Sequence, residues 1–125
     1  MRPNRLKQAL QAGGCVLGVQ CHFPCPELVE FLGYLGFEAV FIDAEHGGVG
    51  VEQAQALVRA AELTGMSPFL RVPHNNPRDI LVYLETGATT VLVPHVASAA
   101  AARAAVAAAL YPPLGQRGAH AATRA

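Results

Sequence analysis

Four short and nearly continuous apolar runs, each followed by a stretch with helical periodicity, limit what this chain can fold into more than any other feature. The runs are Cys15 to Cys21 (CVLGVQC), Glu38 to Asp43 (EAVFID), Pro68 to Val72 (PFLRV) and Thr89 to Pro94 (TTVLVP). A strand that is apolar on both sides must be covered on both sides, which is the condition of a parallel sheet layered with helices. After the first run, Leu28, Phe31, Leu32 and Leu35 repeat at helical spacing and Gly36 supplies a stop. After the second, Ala54, Leu57, Val58 and Ala61 make the stripe, with Gly65 at its end. After the third, Asn76 before Pro77 predicts a capped helix start, Ile80, Leu81 and Leu84 its apolar face, and Gly87 its close. The fourth helix is expected from Ser98 to Leu110, where Tyr111, Pro112 and Pro113 end it.

Two α/β architectures accept this alternation: a doubly wound open sheet, and the first half of a (β/α)₈ barrel. A dinucleotide-binding sheet would want a glycine-rich turn after its first strand. The segment here is Cys21, His22, Phe23, Pro24, Cys25, Pro26, which has no glycine. The barrel is therefore the expectation. A whole barrel takes about 250 residues. The chain's 125 residues correspond to four βα units, so residues 1–125 read as a partial barrel domain that stops before the fifth strand.

Composition narrows the partners. With 52% apolar and 14% charged residues the chain is not of the disordered class. Nine basic residues balance nine acidic ones, which leaves no net field for nucleic acid or an anionic membrane. Arg2, Arg5 and Lys7 lead into a polar helical stretch and not into an apolar signal core, and no run reaches the roughly 18 apolar residues of a membrane span. A cytoplasmic protein is expected. The three cysteines, Cys15, Cys21 and Cys25, are an odd number without a second pair, which favours free thiols over a disulfide framework or a zinc clip.

Ligands of βα folds bind at the C-terminal ends of the strands. Three consecutive strand ends here carry ionisable groups: Asp43, Glu45 and His46 after the second, Arg71 and His74 after the third, His95 after the fourth. His46 is the candidate general base, because imidazole titrates near neutrality; the competing reading is a loop histidine bonded to backbone. Arg71 ends an otherwise apolar strand, where a guanidinium has to be paired or poised for an anion. A salt bridge to Asp43 or Glu45 and a carboxylate-binding role both satisfy that requirement. Asp43, Glu45 and His46 include metal-ligand types, but neighbours in an extended strand point to opposite sides, so structural roles are expected for the carboxylates. His22, His74 and His120 read as loop or tail residues; His95 ends a strand where it could line the cleft, and packing or solvent contact is the favoured reading for it as for His22 and His74.

The segments Phe41 to Gly47 (FIDAEHG), Leu70 to Pro73 (LRVP), Leu84 to Ala88 (LETGA), Val91 to Pro94 (VLVP) and Tyr111 to Gly118 (YPPLGQRG) occur in the order that resembles the HpcH/HpaI aldolase family. The resemblance implies a (β/α)₈ barrel and a class II aldolase that cleaves or forms 4-hydroxy-2-oxo acids through a pyruvate enolate. It implies His46 as general base and Arg71 as the residue that binds substrate and stabilises the enolate oxygen. It implies Glu85, where the family often has aspartate, as the acid that raises the basicity of His46. A divalent cation (Mg²⁺, Mn²⁺ or Co²⁺) is implied as cofactor, with its glutamate and aspartate ligands at later strand ends beyond residue 125. Pyruvate, an aldehyde and further copies of the chain are the implied partners. Two alternatives stand beside this: an inactive half-barrel acting as an oligomerising or binding module, and a citrate-lyase-like enzyme of acyl-CoA thioesters. Open edges on the first and fourth strands, and an uncovered apolar face of Val16, Val19, Phe41, Val91 and Val93, predict self-association.

Overall fold

A computed structural model describes residues 3–124, so Arg2 and the last residue of the 1–125 span lie outside the described residues. The elements are α1 (Arg5–Gln11), β1 (Gly18–Cys21), α2 (Pro26–Tyr34), β2 (Ala39–Asp43), α3 (Val51–Leu63), β3 (Ser67–Arg71), α4 (Pro77–Leu84), β4 (Thr90–Leu92) and α5 (Ala99–Ala109). The strands form one sheet in the order β1-β2-β3-β4, with every neighbouring pair parallel. A doubly wound sheet reverses its strand order at a switch point. This one advances in a single direction, as half of a (β/α)₈ barrel does.

Alternation along the strands sorts the side chains onto two faces. Val40, Ile42, Leu70 and Val72 are fully buried toward the helices, where they meet Ala54, Leu57, Val58 and Ala61 of α3. Burying a side chain of this kind contributes roughly 1.5–3 kcal/mol, so this layer dominates the stability of the unit. The α3 stripe is the one its spacing predicts. Asn76 caps α4 by accepting from the Asp79 N–H at 2.9 Å, with Pro77 in the first turn, and Ser98 caps α5 in the same way at 3.1 Å.

The α2 stripe is different from the expectation. Leu28, Phe31 and Leu35 are exposed, and Val29 is the residue that is fully buried, with Leu32 packed beside it. The helix is turned by close approach to α3: a Cβ on Gly33 would overlap the side chain of Thr64. The faces of the sheet are corrected as well. Val91 pairs in register with Leu70 and packs on the helix side, while Phe41 shares the open face with Phe69, the two rings meeting edge to face at 5.1 Å.

The strands are shorter than the apolar runs. Cys15 to Leu17 lie outside β1, and β4 ends at Leu92 because the proline at 94 has no N–H for the ladder. At the N-terminal edge of the sheet, Asn4 caps α1 and donates to the Thr89 carbonyl at 2.7 Å and to Thr90 Oγ1 at 3.0 Å. That fixes α1 against the start of β4. No helix among the described residues is long and apolar enough to cross a membrane.

Candidate active site

Register builds the site. In the β2/β3 pair, Asp43 stands opposite Arg71, both at the C-terminal end and on the same face as Phe41 and Phe69. Arg71 Nε donates to Asp43 Oδ1 at 2.9 Å while Nη2 donates to Oδ2, a two-point fork on a carboxylate that is 1% exposed. The guanidinium also lies 5.7 Å from the centre of the Phe41 ring. Asp43 Oδ1 accepts two backbone N–H groups besides, from Glu45 at 3.0 Å and His46 at 3.2 Å. One carboxylate thus anchors the arginine and folds the turn that presents Glu45 and His46. Gly47 completes that turn, since a Cβ there would overlap the Asp43 carbonyl.

The electrostatics follow from these bonds. The Arg71 hydrogen bond holds the Asp43 carboxyl down at about 2, against the opposing effect of burial and with help from the His46 and Glu45 N–H groups. Asp43 in turn raises Arg71, so both partners remain ionised across the physiological range.

Glu45 is the second organising carboxylate, with its side chain 9% exposed. Its Oε2 receives Arg71 Nη1 at 3.1 Å and lies 3.7 Å from His46 Nε2, and its Oε1 meets His95 Nε2 at 2.8 Å. The two imidazoles reach outward from this hub, with 71% of the His46 side chain and 79% of the His95 side chain exposed. Arg71 has five N–H donors. Nε and Nη2 donate to Asp43, and Nη1 forms an ion pair with Glu45.

The salt-bridge reading of Arg71 is the one the structure shows: it is paired with both Asp43 and Glu45. His46 and Arg71 meet on one oxygen of Glu45. Glu85 is not brought to them. It caps the C-terminus of α4, which runs back from the strand ends, and its carbonyl accepts from the Arg124 N–H at 3.4 Å at the opposite edge of the sheet. His74 is tied to Asp79 at 2.8 Å, His120 closes a turn on Ala122 N–H at 3.2 Å, and His22 is exposed. Sequence reasoning missed the centrality of Glu45 and the contact His95 makes with it. The one signal for the latter was Pro94, which stops the strand just before His95, where the backbone φ is 55°.

The residues present do not make a divalent-cation site. Among the described residues no group of three His, Cys, Asp or Glu side chains is arranged to hold a metal ion. Asp43 and Glu45, the two acidic residues at the centre, are both engaged with Arg71.

A parallel sheet that advances in one direction, with an arginine, carboxylates and imidazoles gathered on the C-terminal strand ends, defines half of a βα-barrel domain with an enzyme-type rim. The chain belongs to the HpcH/HpaI aldolase/citrate lyase family, whose model matches residues 24–125. It is 38% identical over 122 residues to a hydroxypyruvate/pyruvate aldolase of Sagittula stellata, covering 98% of this chain and 48% of that protein. The crystal structure of an HpcH/HpaI aldolase/citrate lyase family protein from Burkholderia cenocepacia J2315 superposes with a TM-score of 0.90 at 27% identity, covering 98% of this chain and 50% of that one. Macrophomate synthase superposes with a TM-score of 0.79 at 26% identity, covering 90% of this chain and 39% of that one. The chain spans about half the length of the relatives it matches.

Proposed function

We propose that residues 1–125 are the N-terminal half of a divalent-metal-dependent aldolase that cleaves or forms 4-hydroxy-2-oxo acids, with pyruvate and an aldehyde as the pieces. The observation that carries this reading is the convergence of His46 and Arg71 on Glu45, at 3.7 and 3.1 Å. In the cleavage direction His46 takes the proton of the C4 hydroxyl and the C3–C4 bond breaks. The aldehyde leaves, and the bonding pair becomes the enolate of pyruvate. Arg71 binds the oxygen on which that charge gathers, the electrostatic contribution that counts most in such steps. Asp43 and Glu45 hold the guanidinium in place. The carboxylates of this chain do not supply the cation's ligands, so the ion belongs in this reading to residues past 125. Glu85 enters only across a subunit boundary, in the homo-oligomer that the reading includes.

The test is pyruvate release from a 4-hydroxy-2-oxo acid by the chain extended to the length of its relatives, with Mg²⁺, Mn²⁺ or Co²⁺ and with chelator. His46→Ala is expected to lower turnover by about 10² or more. Arg71→Lys, which keeps the charge and loses the fork, is expected to cost a comparable factor. Turnover that survives either change, or that is indifferent to chelator, would overturn the assignment. The same assay on residues 1–125 alone separates a working half-barrel from an inert one.

A further inference from the structure

Among the described residues, the backbone turns left-handed at Gly13, Gly36, Gly65, Gly87 and one residue that is not glycine, His95, at φ 55°. Each of the glycines follows a helix, α1 to α4 in turn, where the chain has only to bend back. A residue with a Cβ pays in that region a cost that glycine escapes. His95 follows a strand instead, at the rim where ligands of βα folds bind, and a side chain is kept there in spite of the cost. What the side chain reaches is Glu45: Nε2 lies 2.8 Å from Oε1.

Glu45 needs such a contact. It sits in the loop between β2 and α3, and its N–H is tied to Asp43 Oδ1 at 3.0 Å. Between that tie and the carboxylate lie the torsions of a long side chain, which is among those with most rotamer freedom to lose. Arg71 Nη1 meets Oε2 at 3.1 Å, and His46 Nε2 faces the same oxygen at 3.7 Å. A carboxylate held at one oxygen alone pivots about it and shifts what the other partner sees. Held at Oε2 from the end of β3 and at Oε1 from beyond β4, it is fixed from two strands. The other ionisable groups of these strand ends are committed elsewhere, Asp43 to Arg71 and His74 to Asp79.

We infer that His95 is a positioning residue: by pinning Oε1 of Glu45 it keeps Oε2 at the place where His46 and Arg71 meet, and so aligns the base with the group that binds the enolate oxygen. The inference rests on the aldolase reading and adds to it a residue that acts through Glu45. The experiment is pyruvate release from a 4-hydroxy-2-oxo acid by the chain extended to the length of its relatives, with divalent cation, comparing the wild type with His95→Gln and His95→Asn. Glutamine carries an amide N–H about as far as Nε2, so His95→Gln is expected to keep most of the turnover. Asparagine stops about as far out as Nδ1, short of Glu45, yet it tolerates a left-handed φ better than histidine or glutamine. His95→Asn is therefore expected to unfold in urea at or above the midpoint of His95→Gln. Its kcat is nevertheless expected to fall by about tenfold or more with KM changed far less, since alignment in the transition state is what has gone. A residue that only shaped the turn gives the reverse order, because the variant with the easier backbone is then the better enzyme. That order, or equal turnover in the two variants, would overturn the inference and leave the aldolase reading standing. A wild type that releases no pyruvate strikes the aldolase reading itself, and the inference with it.

Discussion

Arg71 and Arg117 are both largely withdrawn from solvent, Arg71 with 22% of its side chain exposed and Arg117 with 8% of its surface, yet they are opposites electrostatically. Arg71 stands across a parallel register from Asp43 and reaches Glu45 with a third donor, so its burial is compensated at two carboxylates. Arg117 lies against a tyrosine ring with two nitrogens unanswered. The difference teaches where each charge finds its complement. At the rim the complement is built into the fold, because parallel register sets Asp43 opposite Arg71 and the next turn brings Glu45 to it. Beside α5, no carboxylate among the described residues answers the Nε and Nη2 of Arg117, and the Tyr111 ring is what its guanidinium packs on.

The largest expected effect comes from making Arg71 resemble Arg117. Asp43→Asn removes the forked carboxylate and weakens the acceptor of the Glu45 and His46 N–H groups together. Breaking a buried pair of this kind costs about 3 kcal/mol or more, since the remaining charge is left uncompensated. Urea unfolding of the variant measures it. A loss under about 1 kcal/mol would mean that Glu45 alone satisfies Arg71. Acid does the same more gently. Asp43 is held at about 2 against an ordinary 3.8, so the folded state binds its proton less readily than the unfolded one. Its contribution is therefore fully present above pH 4 and is lost as pH falls from there toward 2, amounting to on the order of 2 kcal/mol. Stability measured across that window in the wild type and in Asp43→Asn should differ in slope, with the variant flatter.

How much of this was legible beforehand divides along the same line. The βα alternation, the α3 stripe, the cap at Asn76 and the helix start near Ser98 are local patterns, and local patterns are written in the chain. The choice of barrel over doubly wound sheet needed only the missing glycine turn after Cys21, and the strand order agrees. The pairing of Arg71 with Asp43 was visible as one of two options, because strand-end position says that a guanidinium needs an anion but not which one. The α2 face was misread because four leucine and phenylalanine positions at helical spacing describe a stripe without saying which neighbour turns the helix. That neighbour is Thr64 against Gly33, a contact between segments far apart in sequence. Arg117 was invisible as a buried cation, since motif and composition alike place it in a polar loop. Only the fold of that loop back onto Ala107 and Leu110 buries it.

The smallest effect tests whether the rim's compensation extends to its backbone. His95 holds φ at 55°, left-handed for a residue with a Cβ, while its Nε2 meets Glu45 at 2.8 Å. The left-handed region costs such a residue roughly 1–2 kcal/mol, and glycine escapes that cost but loses about 0.5–1 kcal/mol through its freer unfolded chain. His95→Ala loses the imidazole and keeps the backbone cost; His95→Gly loses the imidazole and sheds it. Glycine is therefore expected to be the more stable of the two by about 0.5 kcal/mol, the difference between those opposing effects, read from paired urea midpoints. If alanine is the more stable, the backbone at 95 relaxes once the imidazole is gone. The Glu45 contact would then be the cause of the turn, and the hub would impose its geometry on β4 as it does on Arg71.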